Sequence, residues 1–104
     1  MPILETWARR SHFEYNGSIE NGTEIIFGTG RLVTVTKEQY KALLKQFQGA
    51  TVIAGTSRTR VPQGSIGKWL QINVTKTAIA SYVCPILINE GYAERLDNGF
   101  IRFF

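Results

Sequence analysis

Residues 65–104 restrict the fold of this chain more than any other stretch of its sequence. Residues 65–72 carry apolar side chains at helical spacing, and a second helical pattern over residues 75–90 begins after a turn of only two residues. So short a turn makes two consecutive helices cross at a steep angle. The chain closes with residues 92–104, where strand-forming residues flank Asn98-Gly99 and predict a twisted β-hairpin.

The middle of the chain predicts one further helix and one strand. Thr36 and Gln39 have the spacing of a capping box, and the apolar residues that follow them at three- and four-residue intervals predict a helix over residues 37–48. Residues 51–54 predict a short strand, and residues 55–64 predict a loop.

The first third of the chain predicts β-structure. Residues 12–36 are rich in β-branched residues and contain turn signals at Asn21-Gly22 and at residues 28–30, so we expect a small antiparallel meander. Residues 1–10 fit either a short helix or an extended arm.

The passage from Ile79 to Arg95 resembles the step from recognition helix to wing in bacterial and phage regulators of the winged helix-turn-helix superfamily. In those proteins a glycine, here Gly91, closes the helix and an apolar-then-charged strand follows. The order helix, strand, helix, helix, hairpin over residues 37–104 is similar to the same superfamily. The resemblance implies an α+β fold, a winged helix extended by the β-meander of residues 1–36, within the single domain that 104 residues allow.

The resemblance also implies a protein that binds double-stranded DNA, as a small transcriptional regulator or another DNA-associated factor. It places four residues of the third predicted helix at the groove: Thr75, which would also cap the helix, Lys76, Thr77 and Ser81. It places three residues of the hairpin against the backbone: Arg95, Asn98 and Arg102. The alternative is a winged-helix module that binds proteins and no nucleic acid.

The outward side of the third predicted helix is small and uncharged. With the apolar side buried, Thr77, Ser81 and Cys84 point away from the core. No Arg, Asn or Gln projects from the centre of this side to read bases by paired hydrogen bonds. Either the helix reads sequence weakly or this side packs against protein, and an exposed Ile88 would indicate a homodimer contact.

The hairpin admits two registers. A two-residue turn at Asn98-Gly99 would place Arg95 opposite Arg102, and like charges in that position weaken a hairpin. A phosphate against the wing would relieve the repulsion. Alternatively, a bulge at Gly99 shifts the register, or both side chains extend into water.

Positive charge dominates the middle of the sequence. The net charge is +4, and residues 39–89 contain no Asp or Glu. Arg58, Arg60 and Lys68 lie just before or within the helix at residues 65–72, where they could follow a track of phosphates. The alternative is a basic, hydrated surface without a polyanionic partner.

The residue types that most enzymes and metal sites need are scarce. His12 and Cys84 are the only residues of their kinds, and no cluster has metal-ligand spacing, so we expect neither catalysis nor a bound metal or cofactor. The absence of a long apolar run and of a signal sequence, with a single cysteine, favours a cytoplasmic protein without membrane contact. A partner protein or second copy would bind through the third helix or the N-terminal strands.

Overall fold

The computed structural model describes residues 2–104, which form two antiparallel β-sheets and three α-helices. In chain order the elements are β1 (Ile3–Glu5), β2 (His12–Ser18), β3 (Gly22–Phe27), β4 (Arg31–Val35), α1 (Lys37–Phe47), β5 (Thr51–Ile53), α2 (Ile66–Asn73), α3 (Ala80–Asn89), β6 (Ala93–Arg95) and β7 (Phe100–Phe103). The α+β class expected from the sequence is confirmed.

The predicted meander is confirmed and has one more strand than residues 12–36 provide. Strands β1 to β4 pair in sequence order into a four-stranded sheet, so the first ten residues supply an edge strand. Because side chains alternate between the faces of a sheet, one face carries large buried residues. These are Phe13, Tyr15, Ile25 and Phe27. This face packs on the helical part of the chain.

Helix α1 begins at the predicted capping box. The Thr36 hydroxyl accepts a hydrogen bond from the Gln39 N–H at 3.1 Å, and the Gln39 side-chain oxygen accepts from the Thr36 N–H at 2.8 Å. The buried residues Tyr40, Leu43 and Phe47 recur at the spacing of one helix side. The helix expected over residues 37–48 is therefore confirmed.

A second, three-stranded sheet has the order β5-β7-β6. The strand expected near residues 51–54 thus pairs with the last strand of the chain, which also pairs with β6 in a hairpin. Ser65 caps α2 as predicted, because its hydroxyl accepts from the Lys68 N–H at 3.1 Å. The Gly67 N–H donates to the Ala54 carbonyl at 2.8 Å and holds the start of α2 against the end of β5.

The third helix starts later than its sequence pattern predicts. Helix α3 begins at Ala80 and not at residue 75, so the connection from α2 runs over residues 74–79 and the expected two-residue turn is wrong. No side chain caps α3, and the Thr75 hydroxyl accepts instead from the Thr77 N–H at 3.4 Å. Val74, Thr75 and Thr77 are β-branched, which disfavours helix in this connection.

A proline inside α3 attaches the N-terminal sheet to the helix. Pro85 has no N–H, so the carbonyl of Ser81 lacks its usual partner within the helix. The N–H of Trp7 donates to that carbonyl at 2.9 Å. Beside this bond the ring of Tyr82 stacks on the ring of Phe27 with their centres 4.5 Å apart. The turn after β1 and the buried face of the sheet are thereby fixed to the first turn of α3.

Glu90 makes a second attachment at the C-terminal end of α3. Its carboxylate accepts from the Tyr15 hydroxyl at 2.7 Å and from the Ile19 N–H at 2.9 Å. Burial, followed in importance by the hydrogen bond to Glu90, raises the pKa of Tyr15. Buried residues from both sheets and all three helices form one hydrophobic core. Helix α3 lies inside it, because it contacts both β1 and β6 and only Asn89 among its residues is exposed.

Candidate functional site

The four residues expected at a DNA groove lie at the start of α3 and in the connection before it. Thr75, Lys76 and Thr77 are in the connection, and only Lys76 among them is exposed. Ser81 is half-buried, and its carbonyl accepts the hydrogen bond from Trp7. The expectation that Thr77 and Ser81 project outward from a helix is wrong, because the connection is not helical and the N-terminal sheet covers that side of α3.

Cys84, expected on the same outward side, is fully buried. Burial raises the pKa of its thiol to about 12, and the positive charge of Arg95 offsets only part of this rise. The thiol is therefore protonated at neutral pH and is not available as a nucleophile or ligand. This side of α3 packs within the chain, where the N-terminal sheet meets it through the hydrogen bond from Trp7 to Ser81. Ile88 is half-buried, so α3 offers no exposed apolar side chain for a dimer contact.

The hairpin adopts the shifted register. Residues 97–99 form a three-residue loop in which Asn98 adopts a left-handed conformation with φ of 62°. Arg102 consequently lies opposite Glu94 and not opposite Arg95. The Arg102 guanidinium and the Glu94 carboxylate form an ion pair at 3.0 Å. The expected repulsion between two arginines is therefore wrong, because the longer loop pairs one of them with an acid.

Arg95 holds the two halves of the chain together. One guanidinium nitrogen donates to the Trp7 carbonyl at 2.6 Å, and the guanidinium carbon lies 4.1 Å from the centre of the Trp7 ring. A cation over an indole face is attracted by the ring, and a charged donor strengthens the hydrogen bond. Arg95 is thus bound to the turn after β1, and Asn98 stands exposed at the hairpin tip.

Arg58, Arg60 and Lys68 lie in the loop before α2 and on the first turn of that helix. Both arginines are exposed and Lys68 is half-buried. The buried side of α2 consists of three residues: Ile66, Gly67 and Leu70. At helical spacing Lys68 and Ile72 lie opposite that side, and Ile72 is 70% exposed. The outer side of α2 therefore combines a cation with an apolar side chain.

Most of the cations have no acidic partner. Within residues 2–104 the pair between Arg102 and Glu94 is the one ion pair closer than 4.0 Å. The cations before, on and after α2 lack such a partner in that part of the chain: Arg58, Arg60, Lys68 and Lys76. Their charge is available to a polyanion.

Three further cations, which are not among the predicted site residues, lie on α1. Lys37, Lys41 and Lys45 are exposed and border a groove lined by Leu44 and Tyr92. Their four-residue spacing was visible within the predicted helix. The groove was not, because Tyr92 comes from a distant part of the sequence.

No protein-family model matches the chain, and comparisons with curated proteins and with solved structures found no significant match. Across residues 2–104 no helix has the length and apolarity needed to cross a membrane. Over the same range no group of three His, Cys, Asp or Glu side chains could hold a metal ion. A functional assignment therefore rests on charge and geometry.

Proposed function

We propose that residues 37–104 form a winged-helix-type unit and that the protein binds nucleic acid through the phosphate backbone. The element order α1-β5-α2-α3-β6-β7 supports the first part of this proposal. The sheet order β5-β7-β6 supports it further, because the strand between the first two helices joins the C-terminal hairpin in one sheet.

The proposed contacts are with phosphates and not with base edges. Helix α3 is covered by the N-terminal sheet, and both Arg95 and Arg102 have partners within the chain. Phosphate contacts position a protein on nucleic acid but carry no direct sequence information. A DNA-associated factor of low sequence preference is thus better supported than a sequence-specific transcriptional regulator.

The observation that carries the proposal is the unpaired positive charge around α2. Arg58 and Arg60 precede the helix, Lys68 lies on its outer side and Lys76 follows it. Residues 39–89 contain no carboxylate side chain that would repel a phosphate from this part of the chain. Binding of this kind depends on the release of counterions from the nucleic acid.

The test is a titration of a random-sequence DNA duplex by fluorescence anisotropy at two salt concentrations. Four phosphate contacts give a slope of about −3.6 in log K against log salt, so affinity should fall roughly 150-fold between about 50 mM and about 200 mM salt. The triple variant Arg58→Ala, Arg60→Ala, Lys68→Ala retains Lys76 alone, and its slope should be about −1.

The matched control is the triple variant Lys37→Ala, Lys41→Ala, Lys45→Ala, which has the same net charge. It should bind the duplex with nearly the slope of the unaltered protein. An equal loss in both variants would mean that only net charge acts, and would remove α2 as the contact surface. If the protein failed to bind the duplex at both salt concentrations, the proposal would be overturned.

A protein-interaction module is the second candidate, and exposed apolar side chains favour it. Ile3, Ile26 and Leu32 form one cross-strand row with Glu14 on the outer face of the N-terminal sheet. Ile3 is 63% exposed and Leu32 is 57% exposed. A second copy or another protein would bind on this face and not through α3. Such a module would bind the duplex weakly at both salt concentrations.

A further inference from the structure

A groove runs between α1 and the segment that joins α3 to β6. It consists of two depressions of about 440 Å³ and about 350 Å³, and both are lined by Leu44 and Tyr92. Together they are large enough to receive several side chains of a ligand.

The floor of the groove is apolar and comes from distant parts of the chain. It contains Ile19, Leu44, Tyr92, Phe103 and Phe104. Ile19 and Phe103 also belong to the buried core, whereas Phe104 is 62% exposed. The groove therefore places an accessible aromatic ring beside a rigid apolar base.

The turn that ends α3 fixes the position of Tyr92. Gly91 adopts φ of 83°, its N–H donates to the Ile88 carbonyl at 3.1 Å, and the Tyr92 N–H donates to the Leu87 carbonyl at 2.9 Å. This pair of bonds is the Schellman motif, in which glycine tolerates the left-handed conformation that other residues avoid. The Tyr92 side of the groove floor is thereby held by the end of a buried helix.

The rim along α1 carries three exposed lysines at four-residue intervals, Lys37, Lys41 and Lys45. At 1.5 Å per residue they are spaced about 6 Å apart along the axis and span about 12 Å. No carboxylate within residues 2–104 lies close enough to pair with them. Glu20 and Glu38 line only the depression near Lys37 and Lys41, so Lys45 is the one charged side chain among the described residues that line the other depression.

We propose that this groove is a docking site for an acidic amphipathic helix of a partner protein. The apolar side of such a helix would cover Leu44, Tyr92 and Phe104. Carboxylates four residues apart on the partner match the spacing of Lys41 and Lys45, because both helices have the same rise per residue. Complementary charge along the rim sets the orientation of the bound helix.

Charge also favours an acidic helix over nucleic acid as the occupant. A phosphate strand along the rim would meet the carboxylates of Glu20 and Glu38 at one end of the groove. It would also leave the apolar floor exposed to water. A peptide can direct a neutral or basic residue toward Glu20 and Glu38, and its carboxylates toward Lys41 and Lys45.

This inference does not depend on the proposed binding of nucleic acid. The groove is built from the turn between β2 and β3, α1, the end of α3 and the C-terminal residues, and none of its lysines belongs to the cations around α2. Failure of the duplex titration and failure of the peptide titration are therefore separate results.

The probe is a fluorescein-labelled synthetic helix of about 15 residues, long enough to exceed the span of the three lysines. It carries Leu and Phe on one side and Glu at four-residue intervals beside them. Two control peptides have Lys in place of Glu, or the same composition in scrambled order. We expect the full-length protein to bind the acidic probe with micromolar Kd and each control peptide at least tenfold more weakly.

Charge-reversal variants of the protein locate the contact. Lys41→Glu with Lys45→Glu should weaken binding of the acidic probe at least tenfold and should strengthen binding of the Lys peptide. Arg58→Glu with Arg60→Glu removes the same charge elsewhere and should change either affinity less than twofold. Thermal midpoints of both variants report whether they are folded.

Three results would overturn the proposal. The scrambled peptide could bind as tightly as the acidic probe, which would show that binding does not depend on the helical arrangement of the probe's side chains. The two charge-reversal variants could weaken binding equally, which would reduce the effect to net charge. The Lys peptide could fail to gain affinity for the Lys41→Glu, Lys45→Glu variant although that variant is folded.

Discussion

Gly67 is the position where a single added methyl group should disturb the structure most clearly. It lies in the first turn of α2 against the end of β5, and a Cβ there would overlap the carbonyl oxygen of Gly55 and lie 2.8 Å from its carbonyl carbon. Intrinsic helix propensity favours Ala over Gly by about 1 kcal/mol. Helix propensity therefore predicts that Gly67→Ala raises the free energy of unfolding, whereas packing predicts that it lowers it.

The magnitude follows from the backbone contact. Carbon and oxygen atoms in contact lie about 3.3 Å apart or more, so the overlap with the Gly55 oxygen requires α2 to retreat by more than about 1 Å. That displacement breaks the 2.8 Å hydrogen bond from the Gly67 N–H to the Ala54 carbonyl. Overpacking of about 1–3 kcal/mol and a lost hydrogen bond of about 1 kcal/mol exceed the gain in propensity. We expect a net destabilisation of about 2 kcal/mol, and a thermal midpoint lower by about 10 °C.

The assay is thermal and urea unfolding followed by circular dichroism. Gln71→Ala in the same helix is the control and should change the free energy of unfolding by less than about 0.5 kcal/mol. If Gly67→Ala raised the midpoint, propensity would outweigh packing, and the close approach of α2 to Gly55 would be refuted.

Two further predictions concern the attachment of the N-terminal sheet and the buried thiol. Arg95→Ala removes a charged hydrogen bond and a cation–π contact with Trp7, and should lower the free energy of unfolding by about 2 kcal/mol. Arg102→Ala removes only an exposed ion pair and should lower it by less than about 1 kcal/mol. Equal losses for the two variants in urea unfolding would contradict this prediction. Cys84 should resist thiol reagents at pH 8 in the folded protein and react in urea. Its pKa is about 12 in the folded state against an ordinary 9.0, so above pH 9 the unfolded state binds fewer protons and the free energy of unfolding should fall by up to about 1.4 kcal/mol per pH unit. Cys84→Ala should show a shallower fall, and an unchanged slope would contradict the assigned pKa.

Local signals in the sequence located several elements well. The capping box at Thr36 and the cap at Ser65 set the starts of α1 and α2, because their hydroxyls bond to N–H groups within three residues. The end of α3 at Gly91 was also predicted, since the left-handed conformation that ends a helix is a local requirement that glycine meets. Such features need no knowledge of distant residues.

The side of α3 that was expected to contact a DNA groove could not be predicted correctly, because its exposure depends on which other part of the chain covers it. Small residues such as Ala80, Ser81 and Cys84 suit either a close approach to DNA or a close approach to a sheet. Their own spacing does not distinguish the two. The deciding contacts come from Trp7, some seventy residues away in the sequence. The hairpin register had a similar limit, because Asp-Asn-Gly fits both a two-residue and a three-residue loop.

The missing N–H of Pro85 also affects how the chain can be divided. A main-chain oxygen in the first turn of a helix ordinarily accepts from the N–H four residues later, yet the oxygen of Ser81 accepts from Trp7 instead. A fragment cut after residue 36 would lose that donor and would expose to water the apolar side chains that the sheet covers, such as the Tyr82 ring that stacks on Phe27. The early strands are accordingly an integral wall of the helical part, and any dissection of this protein has to keep them.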